Sequence, residues 1–377
     1  MKIAYCLNSI RYLGGIQRVT TVKANALAKI PSNEVYVIVT DNKNGVVVEE
    51  LDAKVRLIDL DVNYYEDDWK SKYHVLKGIF LKRREHLKKL KTTLEQIQPD
   101  IVVSVGQSEK NMIPKIKGPW KTIREFHFVS DYRKRQAHSI FYKVLAWGGD
   151  FYDKHITLNK YDQIVVLTLE DLQTNWKRWR NVSVIPNPKS FTSEATTNYT
   201  QPIIISCGRL NGEKNYKDLI KAFHIVSAKH PCWHLHIYGE GEEKNFLETL
   251  VKSLNLEGKV FLKGYTNDIT SALLHSSIAA YTSIHEGFLL SIVEAMECGL
   301  PVVSYACPFG PRDIINDQEN GFLVNIGDTS KMAEIICRLI EDPHTMAQIG
   351  KKAKERAKDF SIELIVSKWM NLFEKII

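Results

Sequence analysis

Short runs of β-branched and aromatic residues alternate with longer helical patterns along this chain, and the alternation restarts halfway. Strand–helix alternation at this spacing predicts parallel sheets whose strands are joined by crossover helices. The restart follows a proline-containing stretch at 186–202, so the sequence predicts two doubly wound α/β units joined there. The predicted strands lie at 3–7, 35–40, 55–60, 101–105, 122–126, 164–167 and 182–185, and then at 203–207, 234–238, 260–263, 278–281, 301–304 and 322–324.

The composition is that of an ordinary globular protein. The 377 residues are 44% hydrophobic and 25% charged, which excludes disordered and collagen-like classes. No apolar stretch approaches the ~20 residues that a membrane-spanning helix needs. The first strand is followed at once by polar residues instead of a signal-peptide pattern, and the six cysteines form no CxxC pair. We therefore expect a cytoplasmic protein with reduced thiols.

Positive charge is concentrated in the first half of the chain. Residues 1–190 carry a net charge of +11 and residues 191–377 a net charge of −4. A basic first half suits a phosphate-bearing partner or an anionic membrane surface, and its densest stretch is at 82–91. A solvated helix face is the simpler interpretation of that stretch alone.

A glycine-containing loop follows the first strand of each predicted unit. Gly14 and Gly15 precede a helix, so backbone amides there could approach an anion closely, although a tight turn without ligand explains them equally well. In the second unit, Arg209 and Lys214 are separated by a flexible turn, and both cations could converge on one diphosphate. Two unrelated surface cations are the alternative.

The most informative segment runs from 283 to 301. A strand ends near Thr282, a glycine-containing loop follows, and a helix is predicted from about 289 to 298, with Gly299 ending it. The first helical amides are free to bind an anion. Glu286 in the loop and Glu294 on the helix are better suited to sugar or ribose hydroxyls than to phosphate, while a cap or a solvent-exposed role is the simpler interpretation of each acid alone.

Three lesser features are weaker. Gly239-x-Gly241 follows a strand but lacks the third glycine of a dinucleotide fingerprint, and acids crowd the place of the pyrophosphate. His127 follows a strand at its carboxyl end, where it could line a cleft or play a purely structural role. His234 and His236 share one face of a strand but lack an evident third ligand, so no metal site is predicted.

Together these segments resemble the retaining glycosyltransferases of the GT-B fold, specifically the family 4 group that includes many bacterial capsule and lipopolysaccharide enzymes. The resemblance covers nearly the whole chain and includes the Cys-Pro-x-Gly-Pro loop at 307–311, which is similar to that of capsule and teichoic-acid relatives. It rests on Gly14-Gly15, Ile185-Pro186-Asn187-Pro188, Gly208-Arg209-Leu210 with Lys214, Gly239-x-Gly241, and the Glu-x7-Glu pattern of Glu286 and Glu294.

The resemblance implies two Rossmann-like domains facing across a cleft. An acceptor-binding domain would span 1–189 and a nucleotide-sugar-binding domain 190–360. The last segment, 361–377, has an apolar stripe at helical spacing, and in this family it crosses back onto the N-terminal domain. The stripe is therefore expected to pack there.

The resemblance also assigns roles to individual residues. Arg209 and Lys214 would neutralise the donor diphosphate, Glu294 would hold the ribose hydroxyls, and Glu286 would contact the donor sugar. The catalytic set is Glu286, His127, Arg209 and Lys214. The donor-binding set is Gly14, Gly15, Gly208, Arg209, Lys214, Glu286, Gly287, Phe288, Leu289, Leu290 and Glu294.

The implied activity is metal-independent, retaining transfer of a hexose or N-acetylhexosamine from a nucleotide sugar, with UDP expected as the nucleotide. No cofactor or metal is expected, and the acceptor would be a glycan or lipid-linked molecule in bacterial surface polysaccharide synthesis. A peripheral contact with the inner face of an anionic membrane is a further expectation. Gln17, where relatives often carry Glu, and Leu289-Leu290, where relatives carry smaller or more polar pairs, depart from the family pattern.

Two other functions remain as alternatives. A non-catalytic basic protein could bind nucleic acid or an anionic membrane, but no aromatic-basic stacking motif appears, and nucleic acid is not an expected partner. A nucleotide-sugar epimerase of the same fold would lack the Glu-x7-Glu spacing.

Overall fold

The computed structural model describes residues 1–11, 14–42, 50–62, 64, 72–127, 148–149 and 151–377. The chain forms two compact units. The first contains Met1–Leu167, Asn175–Pro188 and Ile362–Ile377, and the second contains Thr168–Thr174 and Lys189–Ser361.

The first unit is built on a parallel sheet that has seven strands within the described residues, in the order β3-β2-β1-β4-β5-β6-β7. Its strands are β1 (Lys2–Leu7), β2 (Glu34–Val39), β3 (Val55–Asp59), β4 (Ile101–Ser104), β5 (Lys121–Glu125), β6 (Gln163–Val166) and β7 (Val182–Val184). Its helices include α1 (Gly15–Ala28) and α2 (Lys72–Ile97).

The second unit contains a six-stranded parallel sheet in the order β10-β9-β8-β11-β12-β13 over its described strands. The strands are β8 (Ile203–Cys207), β9 (His234–Tyr238), β10 (Val260–Gly264), β11 (Ile278–Tyr281), β12 (Val302–Tyr305) and β13 (Phe322–Val324). The helices are α3 (Leu169–Asp171), α4 (Tyr216–Lys229), α5 (Lys244–Ser253), α6 (Ile269–Leu274), α7 (Leu290–Glu297), α8 (Pro311–Ile314), α9 (Thr329–Glu341) and α10 (Pro343–Ala357).

Both sheets have the strand order of a doubly wound fold, with the first strand of each unit at the point where the order reverses. Ligands in such sheets bind outside the carboxyl ends of the strands at that point. It lies between β1 and β4 in the first unit and between β8 and β11 in the second. All the predicted strands are confirmed, each to within one residue at either end.

The last helix, α11 (Ile362–Ile376), belongs to the first unit although it follows the whole second unit in sequence. Its apolar stripe packs into the core of the first unit through Ile365, Val366, Trp369, Leu372 and Phe373. The predicted packing of this segment on the N-terminal domain is confirmed. No helix in the described part of the chain combines the length and the apolar character needed to cross a bilayer.

One short segment that precedes the predicted boundary, Thr168–Thr174, groups with the second unit. The Asp313 carboxylate accepts hydrogen bonds from the backbone N–H groups of Leu169 (2.5 Å) and Glu170 (3.3 Å). Arg312 Nη1 lies 2.6 Å from Glu170 Oε1. These polar contacts with α8 are long-range in sequence, so no local pattern indicates them.

Candidate active site

The loops that follow β8 and β11 flank the point of strand reversal in the second unit. The loop after β8 carries Gly208, Arg209 and Lys214, and the loop after β11 carries Glu286 and leads into α7. The two loops are joined by backbone hydrogen bonding, because Ile284 N–H donates to the Glu213 carbonyl at 2.9 Å. The fold therefore brings together segments that are about 70 residues apart in sequence.

Lys214 and Glu286 form an ion pair across these loops. Lys214 Nζ lies 2.6 Å from Glu286 Oε1, and the two side chains are 20% and 14% exposed. Asn215, which is left-handed (φ 52°) and caps α4, fixes the turn that presents Lys214. A charge-assisted pair that is largely shielded from water is strong, and it places a cation and an anion side by side at the sheet edge.

Glu294 lies on α7 and is 8% exposed. Its Oε1 accepts a hydrogen bond from Ser190 Oγ at 2.6 Å. One helical turn further on, Glu297 pairs with Lys189 at 2.6 Å and accepts from Ser193 N–H at 2.8 Å. The segment 189–193 thus holds the acidic face of α7.

The charges of Lys214, Glu286 and Glu294 act on common neighbours. Burial raises the pKa of the Cys207 thiol well above its usual value; the Glu294 carboxylate raises it further and the Lys214 ammonium lowers it. Burial, and then the Glu286 carboxylate, raises the pKa of Cys307, which Lys214 again lowers. Lys214 therefore lies within electrostatic range of both thiols, with one acid beside each. Burial and the neighbouring acids therefore disfavour the thiolate form of both cysteines.

The backbone around the N-terminus of α7 is closely packed. Leu289 caps the helix in a left-handed conformation (φ 57°). Gly310 (φ 109°) lies so close to Phe288 that an added Cβ would come within 2.7 Å of the Phe288 carbonyl oxygen. The eight-residue helix directs its first N–H groups and the positive end of its dipole toward the loop that carries Glu286. This end of α7 can therefore bind an anion.

The predicted site residues of the second unit differ in how closely other residues of the site hold them. The structure brings Lys214, Glu286, Glu294 and the loop 287–290 to one edge of the sheet. Arg209 also lies in the loop after β8, but its side chain is exposed and forms no hydrogen bond or ion pair within the described part of the chain. A Cβ added at Gly208 (φ 153°) would lie 3.0 Å from the side chains of both Lys214 and Tyr216.

The remaining predicted residues lie at the carboxyl edge of the sheet in the first unit. Gly14 precedes α1 in extended conformation, and His127 follows β5 with its side chain 3% exposed. His127 Nε2 lies 3.1 Å from Glu125 Oε1. Glu125 also pairs with Lys23.

Sequence reasoning missed several polar residues that surround the predicted ones. Glu125, Lys23, Ser190, Lys189 and Glu297 are all buried or partly buried and hydrogen-bonded. A signal for Glu125 was present, because a charged residue at the end of an apolar strand is unusual unless it has a partner. Lys23 and Ser190 carry no comparable signal. No group of three or more His, Cys, Asp or Glu in the described ranges is arranged to hold a metal ion.

The two doubly wound sheets, with the last helix returning to the first unit, define the GT-B fold. A crystal structure of a mutant of the S. aureus protein TarM, in complex with Fondaparinux, alpha-GlcNAc-glycerol and UDP, has a TM-score of 0.77. It is 18% identical, and the alignment covers 99% of each chain.

Residues 189–356 match the family model for glycosyl transferases group 1. An uncharacterized glycosyltransferase of Haemophilus influenzae is 28% identical over 98% of this chain and 99% of its own length. A poly(ribitol-phosphate) alpha-N-acetylglucosaminyltransferase of Staphylococcus aureus is 32% identical over 58% of this chain and 43% of its own length. The chain is thus similar to glycosyltransferases over its whole length, and its match to glycosyl transferases group 1 lies in the second unit.

Proposed function

We propose that this glycosyltransferase transfers a hexose or N-acetylhexosamine from a UDP-sugar with retention of configuration. The observation that carries the proposal is the Lys214–Glu286 pair, which lies in the loops beside the N-terminus of α7. The Lys214 ammonium and the helix amides can bind the anionic diphosphate of a nucleotide sugar. The Glu286 carboxylate can accept hydrogen bonds from its uncharged sugar. Support for UDP comes from the S. aureus neighbour of the same fold, whose crystals contain UDP.

The pair would exchange partners when the donor binds. The Lys214 ammonium would turn from Glu286 to the donor diphosphate, and the amides of 287–290 would bind its oxygens. The freed Glu286 carboxylate would accept hydrogen bonds from the donor sugar. The Glu294 carboxylate, which accepts a hydrogen bond from Ser190, would also accept hydrogen bonds from the ribose hydroxyls.

Bond cleavage would be assisted by stabilising the leaving group. The bond between the anomeric carbon and the diphosphate oxygen breaks, and the new bond to the acceptor hydroxyl forms on the same face of the sugar. The acceptor proton passes to the departing UDP. Lys214, Arg209 and the positive end of α7 would stabilise the charge that develops on UDP, which is the role a divalent ion plays in other folds; the proposed reaction is therefore metal-independent.

The decisive experiment is donor turnover by the purified protein. We expect release of UDP from a UDP-sugar in the presence of EDTA, and a loss of about 100-fold or more in kcat/KM in both Lys214→Ala and Glu286→Gln, because each removes a charge that acts on the donor. Glu213→Gln, an exposed neighbour in the same loop, is the matched control and should retain activity. Full turnover by both site variants would contradict the assignment.

Gly14 and Gly15 of the first unit complete the proposed donor-binding set, and His127 completes the proposed catalytic set by contacting the donor sugar. The first unit is proposed to bind the acceptor, a glycan or lipid-linked molecule of bacterial surface polysaccharide synthesis. The similarity to a glucosaminyltransferase that acts on poly(ribitol-phosphate) supports this acceptor class. A donor-bound crystal structure in which His127 lies away from the sugar would reject its role.

The outward face of α2 supports peripheral contact with an anionic bilayer. Phe80 and Leu81 are 56% and 53% exposed, and Arg84, Lys88 and Lys91 are exposed on the same side of the helix. Two apolar side chains beside three cations match the interface of an anionic membrane.

Cosedimentation with phosphatidylglycerol vesicles tests this face. We expect binding that is absent with phosphatidylcholine and is lost in Phe80→Ser/Leu81→Ser. Lys351→Gln/Lys352→Gln, which removes two exposed cations of α10, should bind as the wild type does. Unchanged vesicle binding by the Phe80/Leu81 variant, together with competition by soluble polyphosphate, would instead indicate a polyanion site.

A further inference from the structure

We propose that Lys23 and Glu125, covered by Trp369 of α11, are positioning residues that hold the His127 imidazole in its working orientation. This inference rests on the proposed contact of His127 with the donor sugar. It adds to that function a buried support that lies entirely within the first unit.

Lys23 is a cation without access to water. Its side chain is 1% exposed, and its ammonium lies 4.7 Å from the centre of the Trp369 ring and 5.6 Å from that of Tyr5. Burial lowers the pKa of Lys23, and the pairing with Glu125 opposes that effect. Aromatic faces attract a desolvated cation, so Trp369 and Tyr5 orient Lys23 toward its partner.

Glu125 joins Lys23 to His127. The same oxygen, Oε1, contacts Lys23 Nζ and lies 3.1 Å from His127 Nε2. Burial alone would raise the pKa of Glu125, but the charges of Lys23 and then His127 lower it to about 2. Glu125 is therefore a carboxylate at neutral pH. Its second oxygen, Oε2, is buried and has no hydrogen-bond partner among the described residues.

The arrangement is costly for stability, which suggests another purpose. A buried ion pair is often no more stable than apolar residues of the same volume. Here one carboxylate oxygen is left without a hydrogen bond, a further cost. Cores retain such groups where they orient a functional side chain, as carboxylates do for histidines in active sites.

A carboxylate facing Nε2 selects one form of the ring. The carboxylate favours a proton on Nε2, the ring nitrogen that faces it. The N–H of the ring is not aligned with Oε1 for a good hydrogen bond in the absence of substrate, which is common for catalytic contacts that tighten when substrate binds. Glu125 is thus placed to hold the Nε2 proton and the ring plane once this contact tightens.

A double-mutant cycle in kcat tests the inference. Lys23→Met/Glu125→Gln removes both buried charges at once, so the fold is retained, and melting temperature and circular dichroism check this. We expect kcat to fall about 10- to 100-fold with the donor KM nearly unchanged. In the His127→Ala background the same pair of changes should have no further effect. An equal fall with and without His127 would overturn the inference.

Histidine ring NMR provides a readout that does not depend on turnover. In protein labelled with ¹⁵N-histidine, the His127 signals, assigned by their loss in His127→Ala, should report a proton on Nε2. They should shift in Lys23→Met/Glu125→Gln and stay unchanged in Glu34→Gln, which alters an exposed acid of the same unit. Identical His127 signals in wild type and pair variant would reject the positioning role, whereas absence of UDP release by the wild type would reject the proposed function alone.

Discussion

At the scale of single residues, the site depends on glycines that allow loops to touch. Gly239 (φ 143°) directly follows β9 beside the loop after β8, and a Cβ at this position would lie 1.9 Å from the Gly208 carbonyl oxygen. A Cβ added at Gly208 would in turn lie 3.0 Å from the Lys214 side chain. A side chain at 239 must therefore displace the loop that presents Arg209 and Lys214.

We predict that Gly239→Ala weakens donor binding by about tenfold or more, because the loop shifts and the backbone is strained at positive φ. Gly212→Ala is the matched control, since its Cβ would meet only Glu243 at 3.8 Å. Isothermal titration with UDP measures both. Equal affinities of Gly239→Ala and the wild type would contradict the packing argument.

A second residue-scale effect concerns His86 on α2, which is 1% exposed. Burial, and then Arg83, lowers its pKa from 6.5 to about 4. Below pH 6.5, His86 therefore binds a proton in the unfolded chain. In the folded chain it binds that proton only when the pH falls to about 4. Stability attributable to neutral His86 is present above pH 6.5 and falls as the pH drops through this window.

We predict that wild type loses about 2 kcal/mol from this residue between pH 7.5 and 5, and that His86→Gln lacks this part of the pH dependence. Denaturant unfolding at the two pH values measures it, with the exposed His224→Gln as control. A parallel loss of stability in wild type and His86→Gln would show that His86 does not titrate as described.

At the scale of elements, the segment 189–193 fixes the orientation of α7. Ser190 holds Glu294, and Lys189 with Ser193 holds Glu297 on the same helical face. Lys189 N–H also donates to the Phe360 carbonyl at 2.8 Å. The helix that carries a proposed donor-binding acid is thus anchored by a buried ion pair.

We predict that Lys189→Met destabilises the second unit by about 3–5 kcal/mol, because Glu297 is left as an unpaired buried charge. Lys189→Met/Glu297→Gln should be less destabilised, since no charge remains and the Gln oxygen can still accept from Ser193. Chemical unfolding measures both, and Glu334→Gln in an exposed pair should cost at most about 1 kcal/mol. The pairing is refuted if the double variant is the less stable one.

At the scale of the whole molecule, the first unit is completed by the last helix of the chain. Trp369 is 1% exposed, its ring centre lies 5.5 Å from that of Phe373, and it covers Lys23. The core of the first unit is therefore completed by a helix that follows the whole second unit in sequence.

We predict that Trp369→Ala destabilises the first unit by about 3–5 kcal/mol through the cavity that it creates, and leaves the second unit unaffected. Hydrogen exchange measured by mass spectrometry should become faster than in the wild type in β1 and β4 of the first unit. It should stay as in the wild type in β8 and β11 of the second unit. Leu364→Ala, 41% exposed on the same helix, is the control. Uniformly faster exchange in both units would contradict this assignment.

The sequence alone determined the elements and the class of the site. Alternation of apolar runs with helical patterns is local information, so the strands could be predicted to within one residue. Glu286, Glu294 and Lys214 could be proposed as site residues for the same reason. Lys214 and Glu286 lie in loops at strand ends, Glu294 lies on the helix after one of those loops, and parallel sheets gather those ends at one edge.

Only the tertiary structure decided which charged residues pair and which segments of the chain belong to which unit. Lys214–Glu286, Lys189–Glu297 and Lys23–Glu125 each join residues more than 70 positions apart, and Thr168–Thr174 packs with the second unit. Such contacts depend on distances across a folded sheet and on exclusion of water, because a buried charge is tolerated only beside its partner. Neither property is encoded in a local pattern.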